Sequence, residues 1–195
     1  MNNEYFTISN SEWTKLKVKN SKFFSKAFYT ETKTKVDKIH ETISQKHANA
    51  NHIVYAYRLK NRGKTIEYST DAGEPVRSSG PPILKVIKGR ELLNTVVFVV
   101  RYFGGIKLGI GGLIKAYTNS AHLALEASRI IKKINLETVK LKTDYDNLGT
   151  ILKKIEQHKG NITDVKYGQK ITVSFKILKS DLINLRQDPQ LNLSS

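Results

Sequence analysis

The stretch VVFVVRYFGGIKLGIGGLIKAY, residues 96–117, decides how the chain is read. It opens on five uninterrupted apolar residues, which predicts a strand over 95–103 buried on both faces. Arg101 and two aromatics close that strand. Five glycines then fall between Gly104 and Gly112, with Lys107 among them. From Gly112 to about Ile131 the spacing predicts a helix. Leu113, Ala116, Tyr117, Ser120, Ala124, Ala127 and Ile131 form one stripe of mostly small residues, suited to close packing on a sheet. Lys115, Asn119 and His122 fall on another face.

A buried strand, a glycine-rich loop and a helix make a geometry that holds anions. Bare backbone N–H groups approach a phosphate, and the helix N-terminus adds partial positive charge. Arg101, Lys107 and Lys115 supply full charges beside Gly104, Gly105 and Gly109. Established nucleotide motifs do not fit. Gly104 and Gly109 have P-loop spacing, but Ile110 stands where that motif needs lysine, and GIGGLI fails the dinucleotide pattern. The competing reading is structural: glycines permit tight turns and let the helix pack closely.

Outward from this stretch, KFFSKAFYT (22–30) is β-like, and 31–47 reads as an amphipathic helix through Val36, Ile39, His40 and Ile43. HIVYAYRLK (52–60) and TIEYST (65–70) read as a hairpin turning at NRGK (61–64). DAGEPVRSSGPP (71–82) is a long loop facing the glycines, and a short helix is expected over 83–92. Asp71 and Glu74 are paired carboxylates able in principle to do acid–base work or hold a divalent ion. With no histidine pair nearby, Asp71 capping its own loop is the alternative, and no metal or cofactor is expected. His52, opening its strand, reads as a structural histidine.

A boundary falls near 133–137, giving domains 1–134 and 135–195. Beyond it, 137–145 reads as a strand, 147–160 as a helix and 161–177 as a hairpin turning at Gly168, with a tail helix from an N-cap at Ser180. This βαββα order suits a small α+β sandwich.

The 195 residues carry a formal charge of +16, which favours polyanionic partners. A lysine- and asparagine-rich composition gives the same surplus without any binding role. Yet residues 1–134 hold 23 basic and 10 acidic residues, against 10 and 7 in the remainder. The absence of cysteine excludes disulfides, thiolate metal sites and thiol catalysis. No apolar run reaches the ~18–20 residues of a membrane span, and the polar start is unlike a signal peptide, so a cytoplasmic protein is expected. No nucleophile elbow is present, and nothing marks Ser78 or Ser79 as activated.

Two segments together resemble the signature region of the IMPACT family, including its two-domain bacterial YigZ-type members. They are DAGEPVRSSGPPIL and VVFVVRYFGGIKLGIGGLIKAY. His52 with Ala56 and Tyr57 is similar to the family's H-x-x-x-A-Y strand, SKFFSKA resembles its early S-x-F strand, and the likeness spans roughly 18–131. Two departures stand out. Ala72 replaces a second acid, which weakens a metal site, and Arg77-Ser78-Ser79-Gly80 replaces the family's G-T-A-G run. The resemblance implies an α+β chain: a first domain like the second domain of ribosomal protein S-five, then a small ferredoxin-like domain, here abbreviated. Both kinds of relative work on the ribosome, and eukaryotic IMPACT proteins act in translational control.

The leading expectation is therefore a cytoplasmic, non-enzymatic protein that binds RNA or the ribosome and modulates translation. Arg101, Lys107 and Lys115 would meet phosphate with help from N–H groups at Gly104, Gly105 and Gly109. Asp71, Gly73, Glu74, Pro75 and His52 would form the facing loop. One alternative is an enzyme acting on a phosphorylated or anionic small molecule in the same cleft. Another is a protein-interaction module.

Overall fold

The computed structural model describes residues 4–61, 64–134 and 136–188. It is a mixed α+β chain dividing into two compact units, Phe6–Lys132 and Lys133 onward, the second also taking in the residues up to Tyr5.

The first unit is built on a five-stranded antiparallel sheet in the order β2-β3-β6-β4-β5. These are β2 (Thr14–Val18), β3 (Ser21–Tyr29), β4 (His52–Asn61), β5 (Lys64–Thr70) and the central β6 (Thr95–Tyr102). Strand β6 is buried at every position but its last. Val97 and Val99 face one core with Phe23, Ala27, Val54 and Ala56, covered by α2 (Gly80–Gly89) and α3 (Gly109–Glu126). Val96, Phe98 and Val100 face the other with Tyr57 and Leu59, covered by α1 (Lys33–Lys46) through Val36 and Ile43. An unbroken apolar run thus marks a strand between two helical layers. At the tip of the hairpin read from the sequence, residues 62 and 63 lie outside the described residues.

Helix α2 begins three residues before the expected start, and the proline pair lies inside its first turn, where missing N–H groups cost nothing. Helix α3 starts at Gly109 and ends at Glu126, not Ile131. Ala127 is exposed, and Ile131 belongs to β7 (Ile130–Ile134), which pairs with β1 (Glu4–Ile8) in a two-stranded sheet. The backbone bond from Ser9 N–H to the Arg129 carbonyl, 2.8 Å, draws the chain out of the helix.

The second unit has β8 (Leu136–Thr143), α4 (Leu148–Gln157), β9 (Asn161–Lys166), β10 (Ile171–Leu178) and α5 (Lys179–Arg186). Its antiparallel sheet runs β8-β10-β9, with the last strand formed in the middle. Leu141, Val173, Phe175 and Ile177 pack under Ile151 and Ile155 of α4 and Leu182 and Leu185 of α5. The N-cap of α5 is Leu178, not Ser180. Among the described residues no fourth strand joins this sheet, and the closing QLNLSS segment lies outside them.

Candidate functional site

The alternation along β6 sends Arg101 to the same face as Val97 and Val99, beneath α3. Its register partners are Phe23 on β3 and His52 on β4. The guanidinium is buried, and its Nη1 donates to Glu74 at 2.6 Å (Oε1) and 2.9 Å (Oε2). The Glu74 side chain is 2% exposed. The Tyr117 hydroxyl, from the buried stripe of α3, donates to Glu74 Oε1 at 2.7 Å. Burial pushes the Tyr117 phenol far up, and the Glu74 carboxylate adds to the effect, so the ring stays a hydroxyl donor. Glu74, Arg101 and Tyr117 thus form a nearly dry hub in which the carboxylate accepts three hydrogen bonds and its charge is matched.

Two neighbours complete the hub. Ser21 Oγ accepts from Arg101 Nη2 at 3.4 Å and from the Gly104 N–H at 3.2 Å. His52 Nδ1 donates to the Ala72 carbonyl at 2.9 Å, and its Nε2 lies 3.9 Å from Glu74 Oε1, beyond hydrogen-bond reach.

The 71–80 loop is held at both ends. Glu74 is one anchor and Asp71 the other. Asp71 Oδ2 accepts from Arg77 N–H (2.7 Å). Its Oδ1 accepts from Ser79 N–H (3.0 Å), Ser79 Oγ (2.7 Å) and Gly80 N–H (2.9 Å). The carboxylate therefore caps α2, whose formal N-cap Ser79 makes no side-chain capping bond. Burial alone would raise its pKa, but the bonds from Ser79, Gly80 and Arg77 outweigh that and hold it below the usual range. These anchors support a strained path, since Ala72, Gly73 and Arg77 all have positive φ. Pro75 contributes a carbonyl that accepts from Ser78 N–H and Oγ.

The glycine loop has two parts. A Cβ on Gly104 would stand 2.0 Å from the Asn20 carbonyl carbon, so this glycine serves a close backbone approach. Gly105 and Gly109 have φ of +81° and +71° and face open space. Lys107 and Lys115 are exposed, and among the described residues neither makes an ion pair. The first turn of α3 carries no acid and no side-chain cap.

The expected site residues therefore separate. Arg101, Glu74, His52, Gly73 and Gly104 come together in or against the buried hub, with Asp71 fixing the loop that carries Glu74. Lys107, Lys115, Gly105 and Gly109 lie at the surface. Arg101, expected beside phosphate, is instead enclosed and faces Glu74. Sequence reasoning missed Tyr117 and Ser21 as partners. Tyr117 was visible as the one large polar side chain in a stripe of small residues, and Ser21 as the first residue of the S-x-F segment, although nothing there pointed to Arg101. Among the described residues no cluster of three metal-ligating side chains occurs, and no helix is long and apolar enough to cross a membrane.

This arrangement, a D-x-G-E-P loop locked by ion pair to an R-Y-F-G-G strand end, defines a class. Residues 19–125 match the Impact N-terminal domain, and the chain belongs to the IMPACT family. It is 30% identical over 171 residues to the IMPACT family member YvyE of Bacillus subtilis, covering 88% of this chain and 78% of that protein. It is 29% identical over 152 residues to the IMPACT family member YigZ of Escherichia coli, covering 77% and 74%. Its fold also matches the crystal structure of a hypothetical protein with TM-score 0.77 at 24% identity, covering 95% of this chain and 90% of that one.

Proposed function

We propose that the protein is a cytoplasmic, non-enzymatic RNA- or ribosome-associated factor that modulates translation. The observation carrying this reading is the pair Lys107 and Lys115, exposed and without ion pairs among the described residues, one just before the start of α3 and one in its second turn. A free cation beside a helix start without a side-chain cap suits phosphate. Arg101 is left out of the contact set, because its charge is already matched by Glu74. Its task is to anchor the 71–80 loop through Glu74. The surplus of basic residues in the first 134 positions supports the same partner class.

We read the first unit as similar to the second domain of ribosomal protein S-five. The second is read as a ferredoxin-like domain. The split βαβ arrangement of β8, α4 and β9 around β10 supports the latter. The boundary at 134/135 belongs to the same proposal.

Purified protein should bind single-stranded RNA, or sediment with ribosomes, at low salt, and affinity should fall as salt rises. Binding that survives high salt, or none at any salt, overturns the reading. Stabilisation by one small phosphorylated compound alone would favour an enzyme in its place. Recovery of a protein partner after nuclease treatment would favour the interaction module.

A further inference from the structure

Away from the hub, residues of α2 and α3 line a groove of about 570 Å³. Its floor is apolar: Pro82, Val86 and Ile114, with Ile114 39% exposed. Polar groups are few and gather along the rim. Thr118 and His122 come from α3, Lys85 and Arg90 from α2 and its C-cap. The two lining side chains of fixed charge, Lys85 and Arg90, are both positive, and Glu126 stands just outside as the partner of Arg90. Arg90 Nη2 is held by Glu126 at 3.1 Å and His122 Nδ1 at 3.3 Å, so its guanidinium is fixed in place at one end. Lys85 is exposed and makes no ion pair among the described residues. Gly89 lies on the wall, and a Cβ there would meet nothing within 4 Å.

We propose that this groove binds a small organic anion with an apolar body, a carboxylate, sulfonate or phosphate ester carried on a ring or short chain. The volume is that of a small-molecule site, and an apolar floor with a few convergent polar groups is how such sites are built. Lys85, exposed and without an ion pair among the described residues, selects the anion. Burial of the apolar body against Val86 and Ile114 supplies affinity, and Lys85 fixes the charged end. None of these residues takes part in the Glu74–Arg101 hub, and neither Lys107 nor Lys115 lines the groove.

The test uses the full chain with anilinonaphthalene sulfonate, whose fluorescence rises on entering an apolar site, and phenylnaphthylamine as its neutral counterpart. The sulfonate should bind at one site, shift backbone amides in 83–90 and 114–122, and be displaced by decanoate. Gly89→Leu, placed where the helix has open space, should lower affinity for both probes by about tenfold or more by filling the groove. Lys85→Gln should lower affinity for the sulfonate alone, by about three- to fivefold. Lys176→Gln, in the second unit, should change neither. Amide shifts scattered over unrelated lysines, or a Gly89→Leu protein that is folded and binds like the parent, would overturn the site. Equal affinity for both probes, unaffected by Lys85→Gln, would overturn its preference for anions.

Discussion

At the scale of single residues, Glu74 matters most. Its carboxylate is buried, and it balances the buried Arg101 charge while accepting the Tyr117 hydroxyl. Glu74→Gln leaves Arg101 enclosed without a counter-charge and should cost about 3–5 kcal/mol in urea unfolding. Tyr117→Phe removes one bond to a charged acceptor and should cost about 1.5–3 kcal/mol. RNA affinity of the folded Tyr117→Phe protein should stay at the parent level, and a large loss would give the hub a direct role in binding. The two opening glycines differ in kind. Gly104→Ala drives a methyl into the Asn20 backbone and should cost about 1–3 kcal/mol or more through overpacking. Gly105→Ala has room but the wrong φ and should cost about 1–2 kcal/mol. Equal melting temperatures for Gly104→Ala and the parent would show that the β2–β3 turn yields. Arg101, Glu74 and Gly104 were legible as unusual residues, but their partnership was not. Spacing does not reveal that a loop folds back 27 positions to deliver Glu74 beneath α3.

At the scale of elements, α2 owes its start to Asp71, nine positions before Gly80. Because the folded carboxyl sits below its ordinary value of 3.8, the contribution of Asp71 is fully present above that pH. It is lost as pH falls through the lower, folded value. Acid titration of stability should therefore show a component in the parent that Asp71→Asn lacks, with the difference largest at neutral pH. A constant difference down to the lowest pH measured would mean that Asp71 acts by shape, not charge. Elements with strong periodicity or composition, α1, β4, β6 and α4, were plain in the sequence. The ends of α2 and α3 were not. A proline pair reads as a break although it is tolerated in a first turn, and the chain leaves α3 for a pairing with β1, whose five residues are too few to announce themselves. Strand β2 was missed for a similar reason. TKLKV alternates lysine with apolar residues and buries Leu16 and Val18 only in part.

At the scale of the whole molecule, limited proteolysis should cut first between about Lys132 and Thr138 and release a stable first fragment. Insolubility of residues 1–134 alone, beside a well-behaved full chain, would count against two independently folding domains. The charge imbalance was legible from composition, but composition does not say which cations remain free. The structure separates Arg101, neutralised inside, from Lys107 and Lys115, exposed outside. The most direct measurement is the salt dependence of binding to a single-stranded RNA for the parent, Lys107→Ala and Lys166→Ala, with melting temperatures taken on the same samples. Lys107→Ala should reduce the slope of log affinity against log salt by about 0.7, one phosphate contact, at unchanged stability, while Lys166→Ala leaves the slope alone. Equal changes from both substitutions would mean a diffuse effect of sixteen surplus charges and would contradict a binding surface at the glycine loop.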